Sequence, residues 1–522
     1  MDNSKQIDAI VIGAGLGGLL SAAQLLKLGK HVVVLERLPH SGGRFTAKNF
    51  RGVQISTGAV HMVPFGSSGV LSQMLSRLHV PHHFFDADVF GSFHVHGRQY
   101  CARGLLGVFK FLSLYQAYCF LRIGYLMLFH HLPEHEQGLP FDRWLERHIP
   151  IERNPRLIAF FQSISRFALS LELSQVSTAE VIRTTKNMLR YGAPAIVQGG
   201  CGKLTKQLEE TINSLGGEIW LACEVLQILY ENEQVTGVRV RNKTNGEEIV
   251  LVAPLVVSDI GPRGTSALLR NQRITQADVL SKIHTQANDG TESPKGAYPK
   301  GTYPKGTRRQ QSEQGSVEIE TEAIGLKVHV LSDISLIPHK GIMYCLDTER
   351  IAGIVQPTNS DPSLAPAGKH LLISHQVIQS NRIEEERALA LADLRMLFGE
   401  AFDTHCHVLT MGTYRGEWPV NRLAQGADTS TQTSTRGLYL VGDAVKPSGY
   451  LMVEGVAQSV NCFLDKLSQT PIEGIPKGHT AADQHQKMWQ GKGRNVAMPP
   501  SGLNAIRWLW KAPGNSGNFE KR

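Results

Sequence analysis

Ala9-Ile10-Val11-Ile12-Gly13-Ala14-Gly15-Leu16-Gly17-Gly18 is the stretch on which the fold turns. Its first four residues form an apolar run that reads as a buried strand. Gly13 permits a tight turn, Gly15 lets a backbone approach a pyrophosphate, and Gly18 allows the next helix to pack closely on the strand. A helical pattern follows over residues 19–28, with Gly29 where a C-cap is expected. His31-Val32-Val33-Val34-Leu35 is a β-branched second strand, and Glu36 closes it 23 residues after Gly13. A carboxylate there accepts hydrogen bonds from ribose hydroxyls and repels a 2′-phosphate, which disfavours NADP. The helix N-terminus turns free N–H groups and the positive end of its dipole towards phosphates.

Further along, Gly199-Gly200-Cys201-Gly202 opens a helix expected over residues 204–215, which Gly216-Gly217 ends. Strands are expected at 218–221, 225–231, 235–241 and 250–257, and another leads into Gly442-Asp443. A last helix is expected over 453–467. Segments 1–80, 196–264 and 416–470 thus read as one discontinuous α/β domain of Rossmann type. Segments 81–195 and 265–415 read as an inserted α+β substrate domain, with an apolar helical region at 104–132.

The chain has 522 residues, 42% hydrophobic and 19% charged, which suits a large globular protein and excludes a disordered or collagen-like one. Of the net charge of +8, residues 473–522 carry +5 and residues 288–316 carry +2, leaving +1 for the rest. A nearly neutral body gives no reason to expect nucleic-acid binding. Within 288–316, Pro294-Lys295-Gly296-Ala297-Tyr298 begins a five-residue tandem repeat of a kind expected to be a disordered loop, and 471–522 reads as a basic tail. The seven cysteines form no CxxC pair, as suits free thiols in a reducing compartment. His405-Cys406-His407 has adjacent residues on opposite faces of a strand and no second ligand cluster, so no metal is expected. Met1-Asp2-Asn3-Ser4-Lys5 runs directly into the first strand with no apolar signal region, and a cytoplasmic protein is expected.

Glu36-Arg37 followed by Ser41-Gly42-Gly43-Arg44, after the glycine turn, resembles the N-terminus of the flavin amine oxidase and phytoene desaturase superfamily. The resemblance implies FAD, held non-covalently, with Gly43 and Arg44 along its diphosphate. It continues through residues 50–58, although Ser56-Thr57-Gly58 lacks the family's acid before the glycine, and it places Gly58, Ala59, Val60 and His61 near the flavin. Residues 198–240 resemble the second FAD segment, where Val225 would bind adenine through its backbone. Gly442 and Asp443 resemble the final motif, where the acid binds the ribityl or diphosphate part. Met452 and Val453 would place backbone groups near flavin N1 and O2. Asp361-Pro362-Ser363-Leu364-Ala365-Pro366 resembles a stretch of the phytoene desaturase branch. The implied activity is oxidation or isomerisation of a lipophilic polyene, as in phytoene desaturases and carotenoid isomerases.

Ser448-Gly449-Tyr450 resembles the segment of monoamine oxidases that supplies one wall of an aromatic cage, and Trp418 is the candidate for the other wall. Tyr450 and Trp418 are therefore the candidate active-site residues. Glu454 reads either as a general acid or base or as an acid in the first turn of the flavin-facing helix. An amine or amino-acid oxidase and a non-catalytic flavoprotein are the alternative readings. Residues 104–132 are apolar, yet Lys110 and Arg122 leave only eleven uncharged residues between them, too few for a span. They read as a buried core helix or as helices dipping into one leaflet, and the lipophilic substrate implied by the family favours the second. A peripheral contact with an anionic membrane follows, with Phe109, Phe111 and Leu112 expected to face lipid and Trp508, Trp510 and Lys511 suited to the interface.

Overall fold

Ala9–Ile12, buried at every position, lies at the centre of a five-stranded parallel sheet. Val32–Leu35 pairs on one side of it and Leu255–Ser258 on the other; Glu218–Trp220 and Leu438–Leu440 complete the edges. Strands from residues 9 and 438 thus share one sheet. Near-continuous apolar strands are what a sheet covered on both faces requires. The helices Leu16–Lys27, Gly200–Ser214 and Met452–Gln469 share one apolar core with the sheet, and Cys223–Glu231, Gln234–Asn242 and Glu248–Val252 form an antiparallel sheet whose core meets its other face. The structure is a computed structural model, and it describes residues 6–58, 60–102, 105–270, 324–378 and 382–469. Ala59, the repeat at 288–316 and the tail at 471–522 lie outside the described residues.

The strand expected over 250–257 is two strands. Pro254 has no N–H to give a ladder, and the chain leaves the antiparallel sheet at Val252 and enters the parallel one at Leu255. The first helix begins at Leu16 rather than at residue 19, so that Gly17 and Gly18 are inside it. The helix expected from residue 204 likewise begins earlier, at Gly200, because Gly199 and Gly200 take φ of +72° and +78° and turn the chain directly into it.

A second sheet has seven strands, in the order Cys406–Tyr414, Gly325–Ser332, His370–Val377, Ile351–Val355, Ile342–Cys345, Gly91–Val95, Arg98–Ala102. The last two strands precede residue 103 and the others follow residue 324, so the two insertions of the chain close one sheet. Helices Pro155–Leu169 and Thr178–Tyr191 are packed in its apolar core.

The apolar region is interrupted. A helix over Leu105–Phe109 ends before Ser113, whose side chain caps a second helix, Leu114–Phe129, in a reciprocal capping box with Gln116. Cys119, Ile123 and Met127 face the core, whereas Leu114 (93%), Tyr118 (60%), Leu121 (51%), Tyr125 (61%) and Phe129 (69%) are exposed. The expectation for Phe111 fails, since it is 1% exposed and packs against Phe93 with centroids 4.9 Å apart. The outward apolar face begins at Leu114. Among the described residues no helix is long and apolar enough to cross a membrane, and no cluster of three or more His, Cys, Asp or Glu could hold a metal ion.

Candidate functional site

One long cleft of about 490 Å³ runs over the carboxyl ends of the parallel strands. Open α/β sheets generally bind ligands there. Gly13, Gly15, Gly17, Glu36, Arg37, Gly43, Arg44, Gly58, Val225, Asp443, Met452 and Val453 line it, so residues from five distant parts of the sequence come together.

The glycine turn is tight for a visible reason. A Cβ on Gly18 would fall 2.0 Å from the Gly13 carbonyl oxygen, and Gly13 itself has φ of +96°. Gly58 is equally constrained, because a Cβ there would sit 2.5 Å from the Arg44 oxygen. Glu36 braces this turn: one carboxylate oxygen accepts from the Ala14 N–H at 2.8 Å and the other from the Leu38 N–H at 2.9 Å. Val225 stands at a register shift in its strand, where an irregular ladder frees backbone groups. Arg37 and Glu417 pair at 2.8 Å at the rim, and Trp418 lines the wall beside them.

Arg44 reaches Asp443 at 2.6 Å and donates to the carbonyls of Pro419 and Val420, tying the Gly43 segment to the last strand. Asp443 also accepts from the Arg422 N–H at 2.6 Å. Burial pushes the Asp443 carboxyl up, yet the two arginines outweigh it and the carboxyl ends below its usual range. Gly442, with φ of +100°, places that acid.

Three residues named from sequence take other positions. Val60 is buried in the core, outside the cleft lining. His61 turns inward at φ +57°, donates from Nε2 to the Gln54 carbonyl and accepts the Cys201 N–H on Nδ1, and burial lowers it to about 4. It is a neutral structural link between the segment after Gln54 and the helix at Gly200. Tyr450 packs edge-on to Phe65 at 6.3 Å and lies outside the cleft lining. The loop before it is held by Glu180, which accepts from Ser448 Oγ at 2.5 Å and from the Gly449 N–H at 2.8 Å. Glu454 is also structural: its carboxylate takes the Leu71 N–H at 2.9 Å and so caps the helix Val70–Leu78 across a gap of more than 380 residues.

Two cleft residues have no motif in the sequence reading. Lys327 sits inside the strand Gly325–Ser332, fully buried, with Nζ 5.0 Å from the Tyr414 ring centroid; burial and then Arg44 lower it to about 7. A lysine in an otherwise apolar strand was its only signal. Asp259 follows Leu255–Ser258 and aims its carboxylate at the glycine turn. Its neighbours Arg44, Arg422 and Asp443 come from distant parts of the chain, so local spacing carries no sign of the cluster.

The glycine turn and the braced acid fit a dinucleotide in a cleft that Glu36, Val225, Lys327, Trp418 and Met452 also line. Comparison with known proteins is consistent with this geometry. Residues 11–78 match the family model of the NAD(P)-binding Rossmann-like domain. The crystal structure of an oxidoreductase from Methanosarcina mazei is 30% identical and superposes with a TM-score of 0.72, covering 88% of this chain and 100% of that one. An uncharacterized protein of Methanocaldococcus jannaschii is 29% identical over 454 residues, 86% of this chain and 96% of its own. Prolycopene isomerase of Daucus carota is 24% identical over 298 residues, 48% of this chain and 45% of its own.

Proposed function

The chain belongs to the family of the Methanosarcina mazei oxidoreductase, and from that premise we propose that it is an FAD-dependent oxidoreductase acting on a long, lipophilic polyene or related isoprenoid. The observation that carries this reading is the mixed lining of the cleft. Glycines, Glu36 and Arg44 share it with Met62, Trp418, Val420, Met452, Val453 and Val456. A dinucleotide needs the first set of groups and an apolar substrate the second. The likeness to prolycopene isomerase supports a polyene.

Bound FAD would supply a two-electron acceptor for desaturation of the substrate, or would assist a cis–trans change with no net redox. The chain's own part is alignment and exclusion of water. Arg44 and Asp443 fix the two walls relative to each other, and Trp418 forms a flat apolar side. Lys327, poised near neutrality in the cleft lining, is a titratable group that can hold or release a proton there. The cofactor would be held non-covalently, since Cys223, the cysteine in the lining, stands beside Glu224 and Val225, the segment proposed to hold adenine. Amine oxidation would call for two aromatic walls; Trp418 supplies one, while Tyr450 is engaged with Phe65 and Tyr191.

The exposed face of Leu114–Phe129 supports a peripheral contact with a membrane, from which such a substrate would enter. Lys110 and Arg122 are exposed on the same region and suit anionic headgroups. Purified protein should be yellow and release FAD on denaturation. Anaerobic addition of an acyclic polyene should bleach the flavin band or change the polyene's isomer composition. A colourless protein, or reduction by amines and not by polyenes, overturns the proposal; bound flavin that no substrate reduces or engages would mark a non-catalytic flavoprotein.

A further inference from the structure

Asp259 stands where its charge is least welcome. Its N–H donates to the Ile12 carbonyl at 2.9 Å, which fixes the residue to the end of the central strand. Its carboxylate then crowds three glycines. A Cβ would fall 2.3 Å from Oδ2 if placed on Gly15, 2.6 Å from Oδ1 on Gly17 and 2.2 Å from Oδ1 on Gly442. The Gly18 N–H faces the same carboxylate and favours its charged form. The acid therefore occupies the N-terminus of Leu16–Lys27, the seat that a diphosphate takes on a turn of this kind.

The surrounding charges leave little room for more anion. Asp443 faces Asp259 from the last strand's turn, Arg422 from the preceding loop and Arg44 from the Gly43 segment. The first turn of Leu16–Lys27 carries no acidic residue, and Arg263 on the following helix is exposed. Arg44 is already committed to Asp443. With Asp259 ionised, two guanidinium groups face two carboxylates, with Lys446 beyond Asp443 and shared with Glu180, and a diphosphate would add two further negative charges.

We propose that Asp259 takes up one proton when a cofactor diphosphate settles on the glycine turn, so that cofactor binding is coupled to protonation. This rests on the dinucleotide reading of the cleft. A neutral carboxyl can still face the Gly18 N–H with one oxygen and donate its own proton to a phosphate oxygen from the other. The proton comes from solvent and stays on the protein while the cofactor is bound. Burial already raises this carboxyl to about 7, with Asp443 adding to the rise and the Gly18 N–H and both arginines opposing it. Below that pH the site is ready. Above it, each pH unit costs the affinity up to about a factor of ten.

The test is titration of FAD into the flavin-free full chain between pH 6 and pH 9, followed by flavin fluorescence. Calorimetry at pH 8 in two buffers of different ionisation enthalpy counts protons. Affinity should fall by tens-fold over this range, with up to about one proton taken up at pH 8. Asp259→Asn keeps the shape and should bind FAD with a much flatter pH profile, at least as tightly as wild type at pH 8. Lys327→Met removes the other cleft group that titrates near 7, and proton uptake should survive it. Should Asp259→Asn fail to fold, uptake in the Lys327→Met background decides. A slope unchanged in Asp259→Asn, or no proton uptake by wild type or by Lys327→Met, overturns the coupling while leaving the FAD site standing. Absence of FAD binding at every pH removes both.

Discussion

Lys327 shows how much a single residue can carry. Its ammonium is buried in a strand that is apolar apart from His329 and Ser332, and the folded state therefore disfavours its charged form. The folded value is about 7 against an ordinary 10.5. Below pH 7 both states are protonated and the full burial cost is present. Between 7 and 10.5 the unfolded chain binds more protons, so stability rises with pH. Lys327→Met should accordingly stabilise the protein at pH 6 and lose much of that advantage by pH 9, as read by denaturant midpoints. An advantage that grows with pH would contradict the burial argument. Gly13, Gly15, Gly18 and Glu36 were legible because their partners lie within thirty residues, and spacing alone encodes their geometry. Lys327, Asp259 and Arg422 were not, because each acquires its meaning from residues far away in the chain. Tyr450 misled for a related reason: the short motif around it is shaped by Glu180, more than 260 residues earlier.

Elements were read well where a local period or turn decided them, and less well where a partner did. The parallel strands follow from four-residue apolar runs, but nothing near Pro254 says that the strands on either side of it join different sheets. The helix Val70–Leu78 has Gly69 at its N-cap, which offers no side chain, and the missing acceptor comes from Glu454. Burial raises that carboxyl to about 7 from an ordinary 4.5. A raised carboxyl means the folded state binds the proton more tightly, so wild-type stability declines as pH climbs through this window. Glu454→Gln should remove that decline, and melting curves at pH 5 and pH 8 should show the variant gaining on wild type. Glu454→Ala should instead lose about 0.5–2 kcal/mol at either pH, as for a deleted helix cap. For Leu114–Phe129 the expected behaviour is different. Replacing Leu114, Tyr118, Leu121 and Phe129 by Gln should leave the melting temperature and flavin content unchanged while abolishing flotation with anionic liposomes. Retained flotation would remove this face from the membrane contact.

At the scale of the molecule, segments far apart in the sequence are bound to one another. Gly91–Val95 pairs in parallel with Ile342–Cys345, while Met62–Val63 and Phe84–Asp86 both pair with Ala195–Val197. Side chains lock the same seam: Asp361 accepts the Gly199 N–H at 2.5 Å, His329 meets Ser56 at 3.0 Å, and Glu180 accepts the Gly426 N–H at 2.9 Å. Loss of near-ultraviolet ellipticity and release of flavin should therefore coincide in denaturant. Two separated transitions would show independent units.

The order of strands in the parallel sheet also sets a schedule for the newborn chain. Its central strand, Ala9–Ile12, is made more than four hundred residues before its last edge, Leu438–Leu440, and before the cleft residues up to Val456. At roughly 5–20 residues per second, synthesis takes about 20–90 s to supply the missing wall. Throughout that interval the strand Leu255–Ser258, once made, lacks one neighbour and the glycine turn lacks Asp443. A dinucleotide can then fill the completed cleft only after translation has passed the final helix, and in the meantime the nascent protein depends on whatever shields its unpaired strand.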